Sequence, residues 1–265
     1  MRWASWKPWC GAAAIIPASS CGRSATNNRW PNVASQFGVL DRCGFPKDNY
    51  WYYRTQWTGE PVLHLFPHWN WDGLLQPDDN GRIDVWCHSN LKAVELLVNG
   101  VSQGMQQVPA YGHVAWRVVY APSAIEARGY RGGKLVLSER RETTGKPAAI
   151  HLSCDRTTLR ANAEDVAVAK VAIVDAQGRL VPTADNQVQF ASRGPARLIG
   201  VGNGDPSSHE DDKAPQRKAF NGLCAALLQT TRNSGDIVLQ ATAPRLTSAK
   251  LRLPAASVKA RASVG

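Results

Sequence analysis

The chain has 265 residues, of which 43% are apolar and 20% charged, so it is globular rather than disordered and long enough for two domains of ordinary size. Its formal net charge is +10, but Arg82, Lys92, Arg117, Arg128, Arg160, Arg197 and Lys250 are scattered, which reads as a solvated basic surface and not as a nucleic-acid footprint. No run of about 18 apolar residues offers a membrane span, and the six cysteines (10, 21, 43, 87, 154 and 224) include no CxxC pair, so no metal or other cofactor is expected.

Residues 1–25 read as an unrelated leader or a disordered segment. Arg2 and Lys7 precede an apolar run, Gly11 to Ala18, that ends in Ala18-Ser19-Ser20-Cys21. That outline suggests a lipoprotein signal, but Pro17 breaks the apolar run and Ala18 stands where Leu is expected. The sequence therefore assigns no compartment.

Next comes a strand, a loop and a helix. Phe37, Val39 and Leu40 form the apolar run, Gly44 the loop, and Pro46 the expected first helical position. Tyr50, Tyr53 and Trp57 fall on one helical face. From 61 to 140 the period drops to two. Val94, Leu96 and Val98 alternate with Glu95 and Leu97, and Asn99-Gly100 supplies the pair a type I′ hairpin needs. Val114, Trp116, Val118 and Tyr120 give another alternating face, and Gly132-Gly133 turns the chain into Leu135 and Leu137. Short strands with such turn signals indicate an antiparallel sandwich.

Residues 141–147 (RETTGKP) read as a linker, and 148–254 as a second β domain. Its strands begin at Ile150 and Leu152, continue through Val166–Val174, turn at Asp175–Gly178, and resume at Val188, Phe190, Leu198, Val201, Ile237, Leu239 and Ala241. The tail, 255–265, is small and polar and reads as disordered. Cys43, Cys87 and Cys224 sit in apolar context as small buried hydrophobes.

The stretch TNNRWPNVASQFGVLDRCGFPKDNYWYYRTQW, with PVLHLFPHWNW, VELLVNG, GVGNGDPSSHE and KAFNGL, resembles glycoside hydrolase family 2 in its bacterial β-galactosidase branch. The resemblance runs from near Thr26 to near Pro254. It implies that 26–60 is the last strand and helix of a (β/α)₈ barrel, which needs about 250 residues when complete. The expected fold class is then mainly β: two immunoglobulin-like antiparallel β-sandwiches, the second also invasin-like, preceded by one βα unit left over from a TIM barrel. The chain would be the C-terminal fragment of a retaining β-galactosidase. Its partner molecules would be a β-galactoside for the intact enzyme, and the upstream barrel fragment or a second copy of the chain.

Retaining glycosidases use two carboxyl groups about 5–5.5 Å apart. In the family both are glutamates on earlier barrel strands. Asp41, Asp48 and Glu60 match neither motif and read as structural, so no catalytic residue is assigned and the chain alone is expected to be inactive. The resemblance places Asn32, Ser35 and Gln36 near the sugar-binding mouth of an intact barrel. His68, Trp69 and Trp71 read as a domain interface, with a sugar-stacking platform as the alternative; that alternative would make the chain a stand-alone carbohydrate-binding or adhesion module. Asn203, Asp205 and His209 sit in a loop read as docking on a neighbour, its glycines supplying positive φ. GVGNGD is not a dinucleotide fingerprint, because Asp205 stands where the third glycine belongs.

Overall fold

The computed structural model describes residues 38–74 and 80–259. Its described residues fall into two compact units: one takes those up to Asp41 and within Pro46–Thr143, the other Arg42–Phe45 and those from Thr144 to 259. Each has its own apolar core.

The first unit opens with α1 (Asp48–Trp57). Pro46 does not start it. Pro46 forms an isolated bridge with Leu40, and Lys47 takes the N-cap position with extended backbone. Of the expected strand around Phe37–Leu40, Phe37 lies outside the described residues, and Leu40 forms that bridge. β1 (Leu63–Phe66), β2 (Arg82–Ser89) and β5 (Val114–Val119) form one sheet in the order β1-β2-β5. β3 (Ala93–Val98), β4 (Val101–Gln107), β6 (Ala124–Arg131) and β7 (Lys134–Glu142) form the other, ordered β4-β3-β6-β7.

The inward residues of both sheets make one core. Leu63 and Leu65 join Ile83, Val85, Cys87, Val94, Leu96, Val114, Trp116, Val118 and Ile125. The alternation read in β3 and β5 is thus the packing period of a sandwich. At the β3–β4 turn Asn99 and Gly100 have φ of 51° and 81°, the double positive φ that a type I′ hairpin demands.

β1 is buried along its whole length, and α1 is the reason. Leu63 and Leu65 face the core, while His64 and Phe66 face the helix. The helix contributes Asp48, Trp51 and Tyr52 to that contact. Tyr53 and Trp57, two of the three rings grouped on one helical face, point outward at 42% and 81% exposure. Residues 46–60 therefore do not form a separate body. With no core of its own, the helix takes cover on the first sandwich.

The second unit contains β8 (Ala149–Cys154), β9 (Leu159–Arg160), β10 (Val166–Val174), β11 (Gln187–Arg193), β12 (Ala196–Gly202), β13 (Gln216–Lys218), β14 (Leu223–Thr230), β15 (Gly235–Thr242) and β16 (Ala249–Ala256). The sheets run β12-β14-β10-β8 and β13-β11-β15-β16-β9. Ala167, Ala169, Val171 and Ile173 from β10 meet Phe190, Ile237, Leu239 and Leu253 across the core. Among the described residues these strands pair antiparallel with one another except β16 with β9, where Ala255 and Ala256 pair in parallel with Leu159 and Arg160. That pairing takes Ala255 and Ala256 out of the expected tail. The expected linker also shortens, because Arg141 and Glu142 continue β7 opposite Ile125 and Ala124.

Asp175 closes the β10 turn. Its carboxylate accepts hydrogen bonds from the N–H groups of Gly145, Gln177 and Arg179 and from the Arg179 guanidinium. Burial pushes its pKa up, but those donors overcome that and hold it well below the usual carboxylate range.

Candidate functional site

Asn32, Ser35 and Gln36 lie outside the described residues. The other two candidate regions are fully placed.

Residues 67–71 are not a strand, so Trp69 and Trp71 form no two-residue platform. The Phe66–Pro67 bond is cis, and the chain then folds inward. Trp69 is fully buried and Trp71 is 5% exposed. Trp69 donates its indole N–H to the Ala121 carbonyl at 2.9 Å and packs edge-on against Tyr120. Trp71 donates to the His68 carbonyl at 2.7 Å and stacks on the His68 ring. Both indoles thereby satisfy the polar handle that a buried Trp carries. Their faces lie in the core of the first sandwich, where no sugar can stack. Burial also lowers the pKa of His68, to about 4, with a nearby Asp48 opposing and Arg141 assisting.

The loop from Gly202 to Lys213 is organised by a residue that sequence reading missed. Arg217 on β13 is wholly buried. Its guanidinium donates to the Glu210 carbonyl at 3.1 Å, the Asp212 carboxylate at 2.8 Å, Asn203 Oδ1 at 3.2 Å and Ser208 Oγ at 3.1 Å. Asn203 is 3% exposed, and its amide also donates to the Lys218 carbonyl at 2.8 Å. It is an internal brace and presents nothing to a neighbour. Asp205 is engaged by Ser207, through both its N–H and its hydroxyl. His209 alone of the three candidates is exposed.

The loop glycines serve a different purpose from the one expected. Gly200, Gly202 and Gly204 do not adopt positive φ. A Cβ on Gly202 would sit 2.8 Å from the Cys43 sulfur, so a side chain there would require Cys43 to shift. Cys87 and Cys224 are fully buried, as their apolar context suggested, while Cys43 is only partly so.

The carboxylates near these regions are structural. Asp48 accepts from His64 Nε2 at 2.9 Å. Glu139 Oε2 accepts from the Leu65 N–H at 2.9 Å, and its Oε1 is paired with Arg141. Glu60 pairs with Arg54 at 3.1 Å. Glu126 accepts from Arg128 and Ser138, which hold its pKa below the ordinary value. A glycosidase acid needs the opposite, a carboxyl whose proton is retained near neutral pH. Among the described residues no three His, Cys, Asp or Glu side chains converge as metal ligands, and no helix is long and apolar enough to cross a membrane.

Comparison with known proteins supplies what the geometry alone does not. Residues 150–252 match the family described as glycoside hydrolase family 2 C-terminal domain 5. Residues 80–137 match a domain family of unknown function. A β-galactosidase of Bacteroides ovatus is 42% identical over 228 residues, which are 85% of this chain and 26% of that protein. A β-glucuronidase of Formosa agariphila is 29% identical over 217 residues, 80% of this chain and 21% of that protein. The crystal structure of a β-glycosidase from Bacteroides vulgatus superposes with a TM-score of 0.78 at 33% identity, covering 85% of this chain and 29% of that one. The chain thus spans about a quarter of the length of these relatives.

Proposed function

We infer the role of this chain from the premise that it belongs to glycoside hydrolase family 2 and corresponds to the C-terminal portion of its members. Its role is that of a non-catalytic scaffold. It supports, through α1 and two β-sandwiches, the barrel of a retaining β-glycosidase whose acid and nucleophile reside in other sequence. The substrate class is terminal β-galactosides, the activity named for the relative from Bacteroides ovatus; terminal β-glucuronides, named for the one from Formosa agariphila, are the competing class.

The observation that carries this reading is the two-sided helix. One side of α1 is seated on the first sandwich through Asp48, Trp51 and Tyr52. The other presents Tyr53 and Trp57 to solvent, their rings 5.1 Å apart. Helices of a (β/α)₈ barrel form a ring packed around its strands. An aromatic face left bare in this chain suits a helix whose second partner is such a sheet. The proposed partner is therefore the upstream barrel polypeptide, and the covered surface would be this face.

The rival role, a stand-alone sugar-binding module, loses its carriers because Trp69 and Trp71 are core residues. The engaged carboxylates argue against hydrolysis by the chain itself. The purified chain is expected to release no detectable nitrophenol from aryl β-galactosides or aryl β-glucuronides above the rate in buffer. Turnover that copurifies with the chain and persists through its refolding would overturn the scaffold role.

A further inference from the structure

We propose that the seat of α1 on β1 and β2 is an acid-released latch, in which His88, buried beneath the helix with neither ring nitrogen hydrogen-bonded, must stay neutral for the helix to remain docked.

The latch is built from a cross-strand pair. His64 on β1 lies directly opposite His88 on β2. Both face away from the sandwich core and toward α1. His64 is held by Asp48 of the helix at 2.9 Å, is stacked on Trp51 at 5.0 Å, and lies 3.9 Å from Glu139 of β7. Glu139 in turn pairs with Arg141. His88 has no such support. It is 1% exposed, and neither Nδ1 nor Nε2 has a hydrogen-bond partner. Its cover comes from three sides: Tyr52 of α1 at 5.4 Å, Phe66 of β1 at 4.8 Å, and His113, just before β5, at 6.0 Å between ring centroids. The charged and titratable groups around it are therefore His64, His113, Asp48, Tyr52 and the adjacent Cys87.

A neutral imidazole without partners is tolerable in such a place. An imidazolium is not, because burial disfavours the charge and no acceptor meets its two N–H groups. Burial first, then His64 and His113, lower the pKa of His88 to about 4, with Asp48 opposing. In an exposed state the group returns to about 6.5. The undocked form therefore binds more protons between those values. Docking is fully supported above pH 6.5, weakens as pH falls below it, and levels off below about 4. If undocking gives His88 to water, the opening equilibrium rises about tenfold per pH unit, to about 300-fold across the window. The helix meets His88 through the Tyr52 ring, so undocking α1 removes that cover without dismantling the sheet. The latch depends on none of the glycosidase assignment.

Hydrogen exchange on the full 265-residue chain, corrected for the intrinsic pH dependence of exchange, tests it. Opening of the amides at 54–57 should increase about tenfold per unit between pH 6 and 5, while amides of β10 and β14 show no comparable slope. In His88→Phe, which fills the same space with an apolar ring, the helix slope should flatten. A helix slope equal to that of β10 and β14, or one unchanged in His88→Phe, overturns the latch. Should that variant fail to fold, the ring-proton NMR titration of His88 in the unaltered chain decides. A midpoint near 4 supports the latch, and one near 6.5 overturns it.

Discussion

Substituting Arg217 by methionine is expected to destabilise the second sandwich by about 2–4 kcal/mol. The methionine replaces much of the side-chain stem and none of the guanidinium. Asn203 Oδ1 then keeps the Asp205 N–H at 3.2 Å but loses the guanidinium, as do Ser208, the Glu210 carbonyl and Asp212. The estimate sits below that for a fully buried ion pair because Asp212 is 55% exposed and water recovers part of its loss. The loop from Gly202 to Lys213 should loosen first, since this one side chain ties it at four points. Urea unfolding with fluorescence and circular dichroism checks the magnitude, and hydrogen exchange across the loop checks the location. A change below about 0.5 kcal/mol, the range of ordinary surface substitutions, would show that the guanidinium network contributes little net stability.

Trp69→Ala should cost the first sandwich about 3–5 kcal/mol, the range for removing a buried large aromatic. The indole is fully buried and donates to Ala121, so the variant loses packing and also leaves a carbonyl without its donor. Trp57→Ala provides the contrast. At 81% exposure it should move the unfolding midpoint of this chain by no more than an ordinary surface change. Thermal unfolding of both variants distinguishes a core indole from an exposed one. Similar midpoints for the two would contradict the burial of Trp69.

These contrasts mark what the sequence made legible. Val94, Leu96, Val98, Val114, Trp116 and Val118 announce a sandwich because strand alternation is a local, period-two property. Asn99-Gly100 fixes its hairpin for the same reason: the needed φ values are a property of those two residues. Val166–Val174 was readable as a strand from its long, mostly apolar run, and its burial alternates in β10. Trp69 and Trp71 were not readable. Two tryptophans spaced two apart suit an exposed strand face and an inward-folding loop equally well, and only the packing of 67–71 chooses between them. Arg217 was hidden among thirty-one basic residues, since nothing local distinguishes a buried arginine from a solvated one. The contact of Asp48, Trp51 and Tyr52 with the sandwich was hidden for a related reason. Helical spacing correctly grouped Tyr50, Tyr53 and Trp57, but a helix ringed with aromatics has two plausible inner faces. One signal did exist: His64 interrupts the otherwise apolar LHLF, and His88 follows the apolar Val85-Trp86-Cys87. Polar residues at such positions indicate a second packed surface rather than a solvent face.

The central claim is that this chain supplies structure to a catalyst whose reacting carboxylates lie in other polypeptide. Its most direct test is complementation. The barrel portion of a family 2 β-galactosidase, made without its own C-terminal quarter, is mixed with this chain, and aryl β-galactoside hydrolysis is followed. The scaffold role predicts negligible rates for each piece alone and a saturable gain of at least about tenfold on mixing, an increment of roughly 1.4 kcal/mol in the effective barrel population. Trp57→Ala should reduce that gain. Hydrolysis by the isolated chain, or no gain when both pieces are folded and in excess, would contradict it.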